Sequence, residues 1–362
     1  MQLTRKVERI TEKEYRKITN ALSYSSIKLF SSDREAFYKQ CVLLEPAKEK
    51  TSASLVMGQL VHTLMADLGD FHQKFHIAAC IPPTGQILLL VEEMYRRSLK
   101  SMDEEGIQKD SFSLIFQDSV NVVKYEYDGV TEKNFKKKTN EWILQKFQDD
   151  GEAYYRECLN ATGKIVVTMG TIEQAEKIVE KLKTHEYTRE YCDILQDEST
   201  EVFNELPIQW EENGVPYKCM PDRMIIRHNK KIIESVDWKT SWDVGLPQIS
   251  YLKYGYYLQG AQYRKGVKAW AKSHGLEGYQ IPPMKFVFCD VNNFEEPVVL
   301  LLSEDDLDRA CRGFTYRGIH YAGLDILLEE IAWCLESGRW GTTSELAKNG
   351  GRMKLQIRYG SQ

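Results

Sequence analysis

Three residues in the stretch Met220 to Thr240, MPDRMIIRHNKKIIESVDWKT, have the types and spacing for metal-assisted phosphate chemistry: Asp222, Asp237 and Lys239. Two β-branched, alternating runs flank a polar break at His228-Asn229-Lys230, which predicts a β-hairpin with a loop of three or four residues. On the second strand Asp237 and Lys239 stand two apart and share a face. If Arg227 pairs near Lys231, Asp222 comes close to directly opposite Asp237. Like charges opposed across a sheet repel, so this arrangement calls for a cation, and a divalent metal is the simplest one. Mg²⁺ takes hard oxygen ligands and usually keeps several waters. One or two such ions held by two carboxylates would polarise a phosphodiester, acidify the attacking water and stabilise the leaving oxygen. Lys239 is placed to position or deprotonate that water, or to stabilise charge gathering on phosphorus. A solvated amphipathic hairpin can carry the same letters, so other segments must agree.

The elements that would position these groups come next. Gln248 to Lys272 carries helical spacing over about seven turns, and Gln259 and Tyr263, four apart, share one of its faces. Tyr251, Tyr254, Tyr256 and Tyr257 are expected to pack this helix on the sheet. Gln259 is an amide on a face otherwise suited to burial, where it needs partners. Residues 55–76 begin with a buried helical pattern through Leu55, Met57, Leu60, Val61, Leu64 and Met65, with Gly58 at a close approach and His62 at its centre. His72 and His76 read as surface residues. Residues 21–40 read as a helix capped by Ser23 or Ser25, and Thr171–Lys183 as an amphipathic helix. Other helical patterns run over Ile87–Lys100, Glu132–Asp149 and Leu324–Leu335, with strands at Lys164–Thr168, Met284–Val291 and Pro297–Leu302. Ser303 with Asp306 forms a capping box.

Pro221-Asp222, then Asp237-Trp238-Lys239, then Gln259-X-X-X-Tyr263, in that order, resembles the PD-(D/E)XK nuclease superfamily. The nearest branch is that of the RecB, lambda and RecE (exodeoxyribonuclease VIII) exonucleases, the last of these being a phage and prophage type. In that branch the Gln and Tyr line the active site. GQLVHTLM resembles the branch's G-x-x-x-H pattern, whose His contributes to the metal site, and a neutral imidazole suits Mn²⁺ in particular. That makes His62 a candidate ligand or outer-sphere group beside Asp222 and Asp237. The superfamily often supplies a further acid from the strand read over Glu201 to Trp210, or from the helix before it. Glu205 is the candidate, with Glu201 in reserve. The Ser23-Tyr24-Ser25 entry is similar to the RecE opening, although Ser32-Asp33 stands where a Pro is usual. The resemblance covers most of residues 21–302.

It implies an α/β fold, a mixed central sheet flanked by helices, with extra helices at both ends. One domain would span 1–362: a catalytic core at about 160–302, a helical portion over 20–160 contributing His62, and C-terminal helices and a tail over 303–362. The implied activity is Mg²⁺-dependent (or Mn²⁺-dependent) digestion of one strand of linear double-stranded DNA from its ends. A single-strand annealing protein and a homo-oligomer are the implied partners. Two alternatives share the site: a structure-specific or restriction-type endonuclease, and a catalytically silent DNA-binding module, against which the presence of Asp222, Asp237 and Lys239 speaks.

Hydrophobic residues make up 42% and charged residues 28%, as in an ordinary globular protein. The net charge of −5 lacks the basic footprint of most nonspecific nucleic-acid binders. Phosphates must then be met locally. Lys133 and Lys136–Lys138, Arg227 with Lys230-Lys231, and Arg264-Lys265 with Lys268 are the basic stretches available. The eight cysteines include no C-x-x-C pair, which points to reduced thiols and away from structural zinc or a four-cysteine cluster. No apolar run approaches the ~20 residues that span a bilayer, and the charged start is unlike a secretory signal. A cytoplasmic location, in a bacterial or phage-infected cell, is expected. The tail from Gly338 is rich in Gly and charge and is expected to be partly disordered or an inter-subunit arm.

Overall fold

The computed structural model describes residues 12–46, 52–66, 69–103, 105, 107–125 and 135–353. Lys133, and residues 132–134 of the helical pattern predicted over Glu132–Asp149, lie outside them. The chain groups into two compact units, one of Ala53–Lys177 and one of Met1–Ser52 with Ile178–Gln362.

The Ala53–Lys177 unit is mostly helical. Its helices are Ala53–Ala66, Phe71–Lys74, Gly85–Ser101, Phe112–Tyr125, Asn140–Asp150 and Glu152–Asn160. Their apolar faces meet in a core of Leu90, Val91, Met94, Phe116, Val120, Ile143 and Phe147. Two short strands, β1 (Phe75–Ile77) and β2 (Ile165–Val167), pair in parallel with His76 opposite Val166. His76 is therefore more than a surface residue: its Nε2 lies 2.8 Å from Glu157 Oε2.

The larger unit is built on a mixed five-stranded sheet. Its chain order supplies β3 (Thr200–Asn204), β4 (Ile208–Glu212), β5 (Val215–Cys219), β6 (Arg223–Arg227), β7 (Ile232–Ser241), β8 (Lys285–Asp290) and β9 (Val298–Leu300). The sheet order is β3-β6-β7-β8-β9, and all its neighbours run antiparallel except β7 and β8. A parallel pair needs a long crossover, and here helices Pro247–Lys253 and Tyr256–Ser273 provide it. The helix expected over Gln248–Lys272 is thus two helices. Gly255, at φ +71°, breaks it with a left-handed residue that carries no Cβ penalty.

Glu201–Trp210 is likewise not one strand. Glu205 takes φ +47° between β3, which belongs to the sheet, and β4, which among the described residues pairs only with β5. The β4–β5 hairpin packs under the long helix, where Leu206, Ile208 and Cys219 join Met224, Ile226, Ile233, Val267 and Trp270. A second cluster lies further along the same helix-covered face. It joins Phe286 and Phe288 of β8 to Leu258 and Ala261, to Ile27 and Phe30 of helix Tyr24–Ser32, and to Leu324, Leu327 and Ile331 of helix Leu324–Ser337. On the opposite face Glu234 accepts from Arg227 Nε at 2.9 Å and from Lys285 Nζ at 2.5 Å, tying β6, β7 and β8 together. Ser23 caps the Tyr24–Ser32 helix through a capping box with Ser26, and Ser303 does the same with Asp306. The start of the tail is held down: Trp340 packs on Phe37 and Tyr38, and Ser344–Lys348 is helical.

Candidate functional site

The hairpin register decides where the acids stand. Arg227 pairs with Ile232 and Arg223 with Val236. Continued by one pair, this register puts Asp222 opposite Asp237, one residue beyond the pairing expected from the sequence. Alternation along β6 and β7 then places Asp222, Met224 and Ile226 with Ile233, Asp237 and Lys239 on the face that carries the long helix. Trp238 N–H donates to Asp222 Oδ2 at 2.8 Å, which fixes the first carboxylate to the strand bearing the second.

Asp237 is only 1% exposed. A buried carboxylate is costly unless it is paired and hydrogen-bonded. Lys239 Nζ lies 2.5 Å from its Oδ2, and Gln259 Nε2 donates to its Oδ1 at 2.5 Å. Burial works against the charge on Lys239. The carboxylate of Asp237 outweighs burial, with help from Tyr256 and Asp222, and holds the pKa above its ordinary value. Lys239 is therefore an ammonium here, suited to electrostatic stabilisation rather than to removing a proton. Its Nζ also lies 4.5 Å from the centre of the Tyr256 ring, which stacks on Phe286.

Tyr263 closes the site from the helix. Burial, then the neighbouring Tyr15, Cys219, Asp237 and Asp222, push its hydroxyl pKa well up, so it stays protonated. Helix spacing explains why Gln259 and Tyr263 arrive together: they are four apart on Tyr256–Ser273, one turn above the other. The structure thus brings Asp222, Asp237, Lys239, Gln259 and Tyr263 of the larger unit into one cluster. Glu205 stands beside Asp222, donating its N–H to the Asp222 carbonyl at 3.0 Å. Glu201 instead meets His228 Nε2 at 2.6 Å, at the far, turn end of the hairpin. His62 is half-buried on helix Ala53–Ala66 of the other unit.

Tyr24, Lys28, Tyr254 and Tyr256 also belong to this neighbourhood, and spacing did not single them out for it. Tyr24 OH donates to the Tyr254 carbonyl at 2.6 Å. Of the four tyrosines expected to pack on the sheet, Tyr251 and Tyr257 are buried, but Tyr254 is 41% exposed. The break at Gly255 leaves Tyr254 just outside the long helix, with its ring centre 5.7 Å from that of Tyr256.

Among the described residues no group of three or more His, Cys, Asp and Glu side chains is arranged to hold a metal ion. Mg²⁺, however, commonly binds through one or two carboxylates, with waters and phosphate oxygens completing its shell. The donors on hand fit that demand. Asp222 and Asp237 are hard oxygen ligands on one face, and Gln259 Oε1 is buried with no hydrogen-bond partner among the described residues.

No family model matches this chain, and no curated protein matches it. Among solved structures, a crystal structure of a "Putative exonuclease" from Eubacterium rectale aligns over 97% of this chain and 96% of that one, at 13% identity and a TM-score of 0.47. A likeness at that level leaves function to be argued from the side chains.

Proposed function

We propose that this protein is a metal-dependent deoxyribonuclease of the PD-(D/E)XK kind, with the RecE-type digestion of linear duplex DNA from its ends as its activity. The observation that carries this reading is the convergence of Asp222 and Asp237 on one sheet face with Lys239, under Gln259 and Tyr263. Two carboxylates with an adjacent ammonium suit the hydrolysis of a phosphodiester. The acids can hold a cation, and the ammonium meets the charge that develops on phosphorus.

In this mechanism Asp222 and Asp237 would hold Mg²⁺ or Mn²⁺, with Glu205 proposed as a further contributor. When bound, the metal supplies Lewis acidity toward the phosphoryl oxygen and lowers the pKa of bound water. The protein supplies the rest. Trp238 N–H and Gln259 Nε2 orient the two carboxylates before substrate arrives. Lys239 faces the non-bridging oxygens with a fixed positive charge, and Tyr263 remains a neutral hydrogen-bond donor. Digestion of 5′- and 3′-labelled linear duplex in Mg²⁺ tests the reading and gives the polarity. Asp222→Ala and Lys239→Ala are each expected to lower the rate at least ~100-fold, the size seen when a preorganised electrostatic group is removed. Full digestion by either folded variant would refute the assignment.

A further inference from the structure

We propose that Tyr254, bracketed by the ammonium groups of Lys28 and Lys253, is a nucleotide-binding step at the mouth of the carboxylate site, where one base stacks on the ring and the two lysines take phosphates. This rests on the nuclease reading and extends it to three residues outside the reacting cluster. Lys28 Nζ lies 5.7 Å from the Tyr254 ring centre and Lys253 Nζ 5.2 Å. The Tyr254 and Tyr256 ring centres are 5.7 Å apart, and Lys239 Nζ lies 4.5 Å from the latter. A continuous series of rings and ammonium groups therefore leads outward from Lys239 to solvent.

The step is held in place. Tyr24 OH fixes the Tyr254 carbonyl, and Gly255 turns the chain at φ +71°. The Lys28 stem lies alongside, at ordinary contact distance: a Cβ on Gly255 would stand 3.9 Å from its Cγ and Cδ. Neither Lys28 nor Lys253 makes an ion pair among the described residues, whereas Lys239 is already engaged by Asp237. Burial, and then the Lys239 ammonium, lower the pKa of Lys28, so an anion arriving between these cations is favoured. Both lysines have flexible stems. They can leave the ring for phosphates and free a face for a base. Stacking on a tyrosine accepts any base, as a nonspecific nuclease requires.

The test is equilibrium binding of a fluorescein-labelled linear duplex to the full chain in EDTA, followed across a salt series, with Mg²⁺ digestion measured alongside. Tyr254→Ala is expected to weaken binding about tenfold without changing the salt slope, and Tyr254→Phe to restore it, since stacking needs the ring and not the hydroxyl. The Lys28→Ala/Lys253→Ala variant is expected to flatten the slope of log K against log salt by about 0.9 per lost phosphate contact, so by nearly two. An unchanged slope in the lysine variant, or wild-type binding by Tyr254→Ala, overturns the step while digestion by the wild type leaves the nuclease reading intact. Conversely, both binding effects in the variants together with a wild-type chain that never cuts in Mg²⁺ overturn the nuclease reading and support the step.

Discussion

Asp237 and Lys239 form a pair whose strength follows from where it sits. Side-chain exposure is 2% for Asp237 and 15% for Lys239, so water screens little of their attraction. Removing one partner of a buried pair leaves the other uncompensated, which typically destabilises by about 3–5 kcal/mol. Lys239→Met, which keeps the stem and deletes the charge, is therefore expected to be less stable than wild type by about 3 kcal/mol in denaturant titrations at pH 7. The pH dependence has a definite sign. The folded pKa of Lys239 lies above its unfolded value of about 10.4, so its contribution is fully present below that pH and lost as pH rises through the folded value. The stability gap between wild type and Lys239→Met should hold steady from pH 7 to 9 and narrow above about pH 10.4. A variant as stable as wild type at pH 7 would show that Gln259 and the surrounding backbone suffice to hold the carboxylate.

At the scale of elements, the long helix matters because it is pressed onto the β4–β5 hairpin at a glycine. A Cβ on Gly266 would stand 2.6 Å from Cys219 Sγ and 2.8 Å from Trp210 Cζ3, closer than atoms can pack. Gly266→Ala is expected to push the β4–β5 hairpin off the helix, to cost about 1–3 kcal/mol, and to lower digestion by shifting Gln259 and Tyr263 on the same helix. Unaltered thermal unfolding and rate would show that the hairpin yields freely. This contact could not be read from the sequence, because it joins residues about fifty apart and depends on which strands pair. The β6–β7 hairpin and the shared face of Gln259 and Tyr263 were legible, since the periods of two and 3.6 are local properties. The breaks at Glu205 and Gly255 were not. Glu has no special tolerance for positive φ, and a single glycine in a helical pattern ordinarily passes without interruption. The division at Ala53 and Lys177 rests on contacts between distant segments, which periodicity does not report. Tyr254 was hidden for the same reason: its exposure follows from the break beside it.

For the molecule as a whole, the depth of the site bears on whether it works from ends or from within. Asp237 is nearly inaccessible and Lys239 little more so, with the Tyr256–Ser273 helix over one side and the Tyr24–Ser32 helix contributing Tyr24 and Lys28 at the mouth. A duplex is stiff over about 150 base pairs. Bringing an internal phosphodiester to so recessed a cluster requires bending or unpairing it. A terminal strand frays at little cost and can be drawn in alone, its bases stacking on an exposed ring. The net charge of −5 adds no long-range attraction that would help press a whole duplex against the surface. Linear duplex should therefore be digested in Mg²⁺ at least ~100-fold faster than the same sequence as a covalently closed circle, a ratio equivalent to about 2.7 kcal/mol of barrier. A nicked circle, which offers a strand end without a duplex end, should fall between them. Equal rates on linear and closed DNA would mean that the site opens to intact duplex, and the endonuclease reading would then replace the exonuclease one while leaving the roles of Asp222, Asp237 and Lys239 unchanged.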